Sequence, residues 1–241
     1  MKGKYALFTI VLSLVIYMVG CGKSEKVVPP TQANTVSKAV QTVQKSKQEV
    51  LNQTKQTEIP KPSTAPITEE KVLFGFERGD EGFGIPDWVE EKPDNASKSL
   101  SVSKSFASEG KQSLCLATDF PGKMWSSAIV ELEQYLDLSP YRQIMADVYV
   151  PAGTPEGLKA KIILTVGENW EWIEMARSFP LVGGEWITVS ASIESGSLEW
   201  KKTEVTNAFR QDIRKLVVRV ESNKTPIYNG PVYIDNIRVG R

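Results

Sequence analysis

From Lys71 to the end of the chain, apolar and polar residues alternate in short runs separated by clusters of Gly, Pro, Asn and Ser. Side chains on a strand point alternately to its two faces, so this pattern predicts half-buried β-strands. Nine or ten of them fall near Val72–Glu77, Ser99–Ser105, Gln112–Asp119, Ser127–Leu136, Gln143–Val150, Leu158–Val166, Trp170–Arg177, Trp186–Ile193, Leu216–Glu221 and Val232–Val239. One helical turn is expected, around Val205–Arg210. About 170 residues suffice for a single two-sheet core. No fixed period recurs, which excludes propellers and solenoids. The fold class is all-β, a two-sheet antiparallel sandwich spanning 71–241.

The first seventy residues follow other rules. Lys2 and Lys4 precede an apolar run from Tyr5 to Val19, closed by Gly20 and Cys21. A charged start, an apolar centre and a small residue at the cut site make residues 1–20 a secretory signal peptide. The run is shorter than the roughly 18 to 20 apolar residues a spanning helix needs. Met18-Val19-Gly20-Cys21 resembles the lipobox of bacterial lipoproteins, with Met18 in place of the usual leucine. The resemblance implies that Cys21 is the lipidation site and new N-terminus, so the chain is held to a membrane in the cell envelope with its domain on the exported side. An ordinary export signal and an uncleaved anchor are the other readings. From Gly22 to about Glu70 the chain is rich in Gln, Lys, Thr, Ser and Pro and has no aromatic residue, a composition that buries too little apolar surface to offset ordering entropy. Residues 21–70 therefore read as a lipidated cysteine followed by a flexible linker, in which Val36, Val43 and Val50 permit a short amphipathic helix between Thr35 and Lys55.

Charge and composition narrow the function classes. Lys plus Arg equals Asp plus Glu, so there is no basic field to draw nucleic acid. Histidine is absent, which removes the commonest general base and zinc ligand. Beyond Cys21 the one cysteine is Cys115, which reads as a small core residue and leaves no intramolecular disulfide once Cys21 is acylated.

Parity along the strands sorts side chains by face. In Trp170-Glu171-Trp172-Ile173-Glu174-Met175, Ile173 and Met175 point to the core, and Trp170, Trp172 and Glu174 share the opposite face. The same argument turns Ile144, Ala146, Val148 and Val150 inward with Asp147 and Tyr149 outward, and Leu216, Val218 and Val220 inward with Arg219 outward. Exposed indoles grouped with carboxylates and an arginine suit the C–H faces and hydroxyl rims of sugars. Asp147, Tyr149 and Arg219 are expected to line one groove with the tryptophan pair. Trp125 and Trp200 lie on expected loops, where stacking against a ligand and packing against the core are both open. Trp186 reads as a packing residue, and Trp88, in the long Arg78–Lys98 connection, as a cap over one end of the sandwich. Asp235 stands in the middle of an apolar strand, and a carboxylate there needs either a basic partner or a bound cation.

Four segments occur in a recognisable order: Phe74-Gly75-Phe76-Glu77, Ala107-Ser108-Glu109-Gly110-Lys111-Gln112-Ser113-Leu114, Gly184-Glu185-Trp186-Ile187-Thr188-Val189 and Val232-Tyr233-Ile234-Asp235-Asn236-Ile237. Together they resemble the galactose-binding-like β-jelly-roll of carbohydrate-binding modules found on mannanases and glucanases. The resemblance covers nearly all of 71–241. It implies a non-catalytic domain that binds an oligo- or polysaccharide and carries a structural calcium, held by Glu77 and Asp235 with carbonyls near Glu109 and Lys111. A second reading makes the same β-surface a grip for a partner protein of the envelope. A third, a glycoside hydrolase using a pair among Glu168, Glu171 and Glu174, is disfavoured by the absence of long catalytic loops.

Overall fold

The structure is a computed structural model in which residues 66–241 are described. The signal peptide, Cys21 and the segment bearing the heptad-spaced valines lie outside them. Among the described residues the strands are β1 (Glu70–Phe74), β2 (Ser97–Ser103), β3 (Ser113–Phe120), β4 (Trp125–Leu136), β5 (Gln143–Tyr149), β6 (Lys159–Val166), β7 (Glu171–Glu174), β8 (Phe179–Pro180), β9 (Trp186–Ser192), β10 (Ile213–Asn223) and β11 (Tyr228–Gly240). Two short helices, α1 (Asp87–Glu90) and α2 (Asn207–Gln211), interrupt them.

These form two antiparallel sheets. One has the order β2-β3-β11-β5-β9, with β1 added beside residues 237–240 of β11, beyond the stretch that pairs with β3. The other has the order β4-β10-β6-β7, with β8 on the first residues of β6. The domain's first strand is stitched to its last residues: Thr68 N–H donates to the Arg241 carbonyl at 3.0 Å, and Arg241 N–H to that of Glu69 at 2.9 Å.

The core follows from period-two alternation. Ala160, Ile162, Leu164 and Val166 of β6 and Leu216, Val218 and Val220 of β10 meet Ile144, Ala146 and Val148 of β5 and Val232 and Ile234 of β11. Each such side chain contributes roughly 1.5–3 kcal/mol when fully buried. Ile234 and Ile237 both reach this core although an odd number of positions separates them. A register shift between Asp235 and Arg238, with Asn236 at φ 47°, supplies the extra residue that restores the face.

The outer face of the β4-β10-β6-β7 sheet is not simply wet. Ile129, Ile163 and Val217 stand on it and pack against Val89 of α1. Asp87 and Glu90 lie in the first turn of α1, where the helix dipole favours them, and Pro93 prevents the helix from continuing. The strap that carries α1 is pegged to the free edge of β4 at both ends. Gly84 and Glu131 exchange backbone hydrogen bonds at 3.0 and 2.9 Å; Ala96 N–H donates to Ser127 O at 2.8 Å, and Ser127 N–H to Asp94 O at 2.9 Å. So pegged, the edge of β4 is covered from Ser127 to Glu131.

Most strands fall where the alternation predicts them; β1 is displaced to Glu70–Phe74, β8 is an additional short strand, and further differences bear on the site. Helix α1 was not expected, because one buried residue in four makes no apolar period. Trp170 is not in a strand: it closes the β6–β7 turn at φ 55°, its N–H donating to Gly167 O at 3.0 Å. β10 and β11 extend further than their apolar stretches, since Lys215 and Ser222, and Asn229 to Pro231, have strand partners while contributing no alternation, and Arg214 lies in a register shift. Trp88 lies over a sheet face and does not cap an end.

Because Ile173 and Met175 are buried, Ile173→Ala and Met175→Ala should each lower unfolding stability by about 2–5 kcal/mol in urea titrations. Trp172→Ala, on the opposite face, should change it by less than either.

Candidate functional site

Register across the second sheet sets out the floor of a cleft. Lys215 pairs with Thr165 and Thr165 with Trp172; Val217 pairs with Ile163 and Ile163 with Glu174; Arg219 lies between Ile129 and Lys161. Between this floor and the strap is a cleft of about 550 Å³. Four tryptophans line it, Trp88 from the strap, Trp125 from the start of β4, Trp170 from the turn and Trp172 from β7. They are 38%, 39%, 45% and 40% exposed, respectively. Indoles of that size left open together mark a contact surface.

Their arrangement is fixed by polar contacts at the ring edges. Trp88 and Trp172 meet edge to face, centroids 5.3 Å apart at 88°. Trp88 Nε1 donates to Glu131 Oε2 at 3.2 Å, and Trp172 Nε1 to Glu174 Oε1 at 3.3 Å. The positive φ of Trp170 costs on the order of 1–3 kcal/mol, and it places the indole against Arg214 and Lys215, 5.3 and 5.7 Å from its centre.

Glu174 is the electrostatic centre. Arg219 grips it with both Nη atoms, at 3.0 and 2.9 Å. Lys201 adds a contact at 2.8 Å, and Lys161 one at 3.6 Å. Burial alone pushes the Glu174 carboxyl up, but these cations outweigh it and bring the pKa to about 2. Arg219 also reaches Glu221 at 2.9 Å. Lys161 is buried between Glu174 and Glu221, and burial draws its pKa down. Lys215 loses solvation too, yet Glu131 at 2.7 Å and Glu133 at 3.0 Å hold its pKa above the usual value. The Thr165 hydroxyl, buried at the floor, has no hydrogen-bond partner.

Of the eight side chains expected to bind sugar, Trp125, Trp170, Trp172, Glu174 and Arg219 come together here. Asp147 and Tyr149 do not, because β5 belongs to the other sheet and their outward face is the opposite side of the sandwich. Asp147 there accepts from Ser108 Oγ at 2.6 Å, Thr188 Oγ1 at 2.7 Å, Asn236 Nδ2 at 3.0 Å and Arg238 Nη1 at 3.0 Å. Tyr149 is buried against Phe106, Trp186 and Tyr233. Trp200 is no loop contact either: at 2% exposure it packs on Phe209, and its Nε1 donates to Ser192 O at 2.8 Å. The sequence reading missed Glu131, Lys161, Lys201 and Lys215 and, above all, Trp88. Its signal was the Trp88-Val89 pair inside a connection too long for a plain hairpin. Glu168 and Glu171 line a different cleft, below α2.

The four positions expected at calcium are adjacent, but meet differently. Asp235 is fully buried; its Oδ2 accepts the N–H groups of Ser108 at 2.7 Å and Glu109 at 3.1 Å, and its Oδ1 that of Asn236 at 2.7 Å. Burial, with Asp147 nearby, pushes its pKa up against these donors. Glu77 Oε1 accepts the N–H groups of Lys111 at 2.7 Å and Gln112 at 3.1 Å, the first being the main cause of its lowered pKa. Gly110, at φ 67°, lies so close to the Glu77 carboxylate that a Cβ would collide with it. Calcium takes about 6–8 oxygen ligands. Here backbone N–H groups donate to both oxygens of Asp235 and to Oε1 of Glu77, and no group of three or more His, Cys, Asp or Glu is clustered for a metal ion among the described residues. As arranged, the two carboxylates are acceptors for backbone amides.

Two measurements follow. Asp235→Ala should lower the melting temperature of the full chain because its backbone donors lose their acceptor; EDTA should lower it as well if Glu77 and Asp235 share a calcium, and an unchanged value with EDTA would sink the calcium reading. The folded pKa of Glu174 lies below its ordinary value of 4.5, so its stabilisation is complete at neutral pH and is lost as pH falls from 4.5 through about 2. The stability difference between the wild type and Glu174→Gln should therefore shrink across that window.

No protein-family model matches the chain, and no curated protein sequence does. Solved structures do. A carbohydrate-binding module of Caldicellulosiruptor saccharolyticus, CBM27-1, solved in complex with mannohexaose, is 19% identical, with a TM-score of 0.51 over 71% of this chain and 96% of that one. A non-crystalline-cellulose-specific module, CBM28, is 14% identical, with a TM-score of 0.50 over 72% and 96%. At these identities the likeness establishes the fold: a β-sandwich of the jelly-roll kind seen in carbohydrate-binding modules.

Proposed function

We propose that this domain binds an oligo- or polysaccharide without altering it, and that the chain displays it from a membrane through a lipid on Cys21 and the linker 21–70. The observation that carries the first part is the cleft of four part-exposed tryptophans over a polar floor. Flat aromatic faces suit the C–H faces of pyranose rings, and polar side chains at the cleft's edge such as Lys92, Asp94 and Asn95 suit their hydroxyl rims. That modules of the same fold bind mannohexaose and non-crystalline cellulose supports the choice of ligand class. A hydrolytic role finds little support at this site. Glu174 stays ionised far below neutral pH and is held in ion pairs, so it lacks the proton a general acid needs. The membrane part rests on the lipobox-like tetrapeptide; among the described residues no helix is long and apolar enough to cross a membrane.

Affinity electrophoresis of the full chain through gels containing mannan, xylan or soluble β-glucan tests the binding reading. At least one polymer should retard the wild type. Trp125→Ala, Trp170→Ala and Trp172→Ala should each weaken retention by about 1–3 kcal/mol, by analogy with aromatic stacking on other ring ligands, with little change in melting. A wild type that no glycan retards or binds in an array would overturn the proposal.

A further inference from the structure

The cleft contains two carboxylates with no evident role toward a ligand. Glu131 is 8% exposed, and the Glu174 side chain is 18% exposed. Every oxygen of both is already taken. Glu131 Oε2 accepts the indole N–H of Trp88 at 3.2 Å, and Oε1 holds the Lys215 ammonium at 2.7 Å. That ammonium lies 5.7 Å from the centre of the Trp170 ring. Glu174 repeats the scheme. Its Oε1 accepts the indole N–H of Trp172 at 3.3 Å, and both oxygens hold the Arg219 guanidinium at 3.0 and 2.9 Å. The guanidinium carbon lies 5.5 Å from the centre of the Trp125 ring.

Each carboxylate therefore fixes one tryptophan directly and a second through a cation. Cations within about 6 Å of an aromatic centroid are drawn to its face, and ionised hydrogen bonds are roughly twice as strong as neutral ones. The two halves are joined where Trp88 and Trp172 meet edge to face. We propose that Glu131 and Glu174 are positioning residues: together they set the spacing of the four tryptophan walls, and with it the shape of chain the cleft admits. A ligand meets the indoles, and the carboxylates act behind them. The effect on affinity rests on the glycan reading; the effect on the walls does not.

The test separates the two. Near-UV circular dichroism of the ligand-free full chain reports the tryptophans' surroundings, and all six lie between residues 88 and 200. Glu131→Gln and Glu174→Gln should each alter that spectrum while far-UV dichroism stays native, and polysaccharide affinity should fall about tenfold, equivalent to 1.4 kcal/mol. Glu131→Ala added to Trp88→Phe should change affinity less than it does alone, since both remove the same bond. Glu70→Gln, which loses an ion pair with Arg238 on the other sheet, should alter neither signal. If Glu174→Gln leaves Arg219 and Lys161 too poorly matched to fold, Glu174→Asp keeps the charge but withdraws the oxygen from Trp172, and should still alter the spectrum. Unchanged near-UV spectra in both glutamate variants, or fully additive losses in the Glu131 and Trp88 pair, would overturn the inference. Altered spectra in a protein that binds no polysaccharide would support it and remove the glycan reading alone.

Discussion

The grip of Arg219 on Glu174 is made on a sheet face that is elsewhere apolar, at Ile129, Ile163 and Val217, and partly roofed by a strap. A guanidinium that is 7% exposed would be costly without its partner, so the two side chains constrain each other's rotamers, and with them Lys161, Lys201, Glu221 and Trp172. The strap depends on the same face, because Val89 buries against those three aliphatic side chains, with Ile85 beside them. The cleft is what remains between a charged half of the sheet that the strap does not cover and an apolar half that it does.

Parity made the direction of nearly every strand residue legible, since period-two alternation needs only the local sequence. Ile173 and Met175 do point inward, and Trp172, Glu174 and Arg219 outward. Sheet membership was not legible in the same way. Asp147 and Arg219 are both outward, yet β5 and β10 lie in different layers, and that assignment depends on pairings between residues far apart in sequence. The same limit applies to Trp200, whose loop folds back so that its indole enters the core beside Phe209. Trp88 was hidden for a further reason: a four-residue helix with one buried side chain has no period to detect. Asp235 was recognised as anomalous from sequence, and the backbone amides that satisfy it became visible only once Ser108 and Glu109 were placed beside it.

The two outer faces of the sandwich have been treated differently by the chain. On the first sheet the connection between β2 and β3 closes down, laying Phe106 against Tyr149 and Tyr233 and delivering Ser108 to Asp147. Aromatic rings there are spent on packing. On the second sheet the strap touches down at Gly84 and Asn95 and arches between them, leaving indoles open beneath and beside it. A similar complement of aromatic and charged residues thus yields one face where Tyr149 and Tyr233 are buried beneath a part-exposed Phe106 and one where four indoles stay part-exposed, the difference lying in how the covering loop is pinned.

The stitching of β1 to the end of β11 has a mechanical side. Residue 66 leaves the domain beside Arg241, and β1 runs antiparallel to its partner from that point. A pull on the preceding chain along the strand axis loads the β1–β11 hydrogen bonds together, in shear, where a pull across the axis would open them one after another. The cleft lies on the other sheet, so tension between the chain before residue 66 and anything held at the tryptophans passes through the packed interior. For force along the β1 axis, the β1–β11 ladder is loaded in its stronger direction.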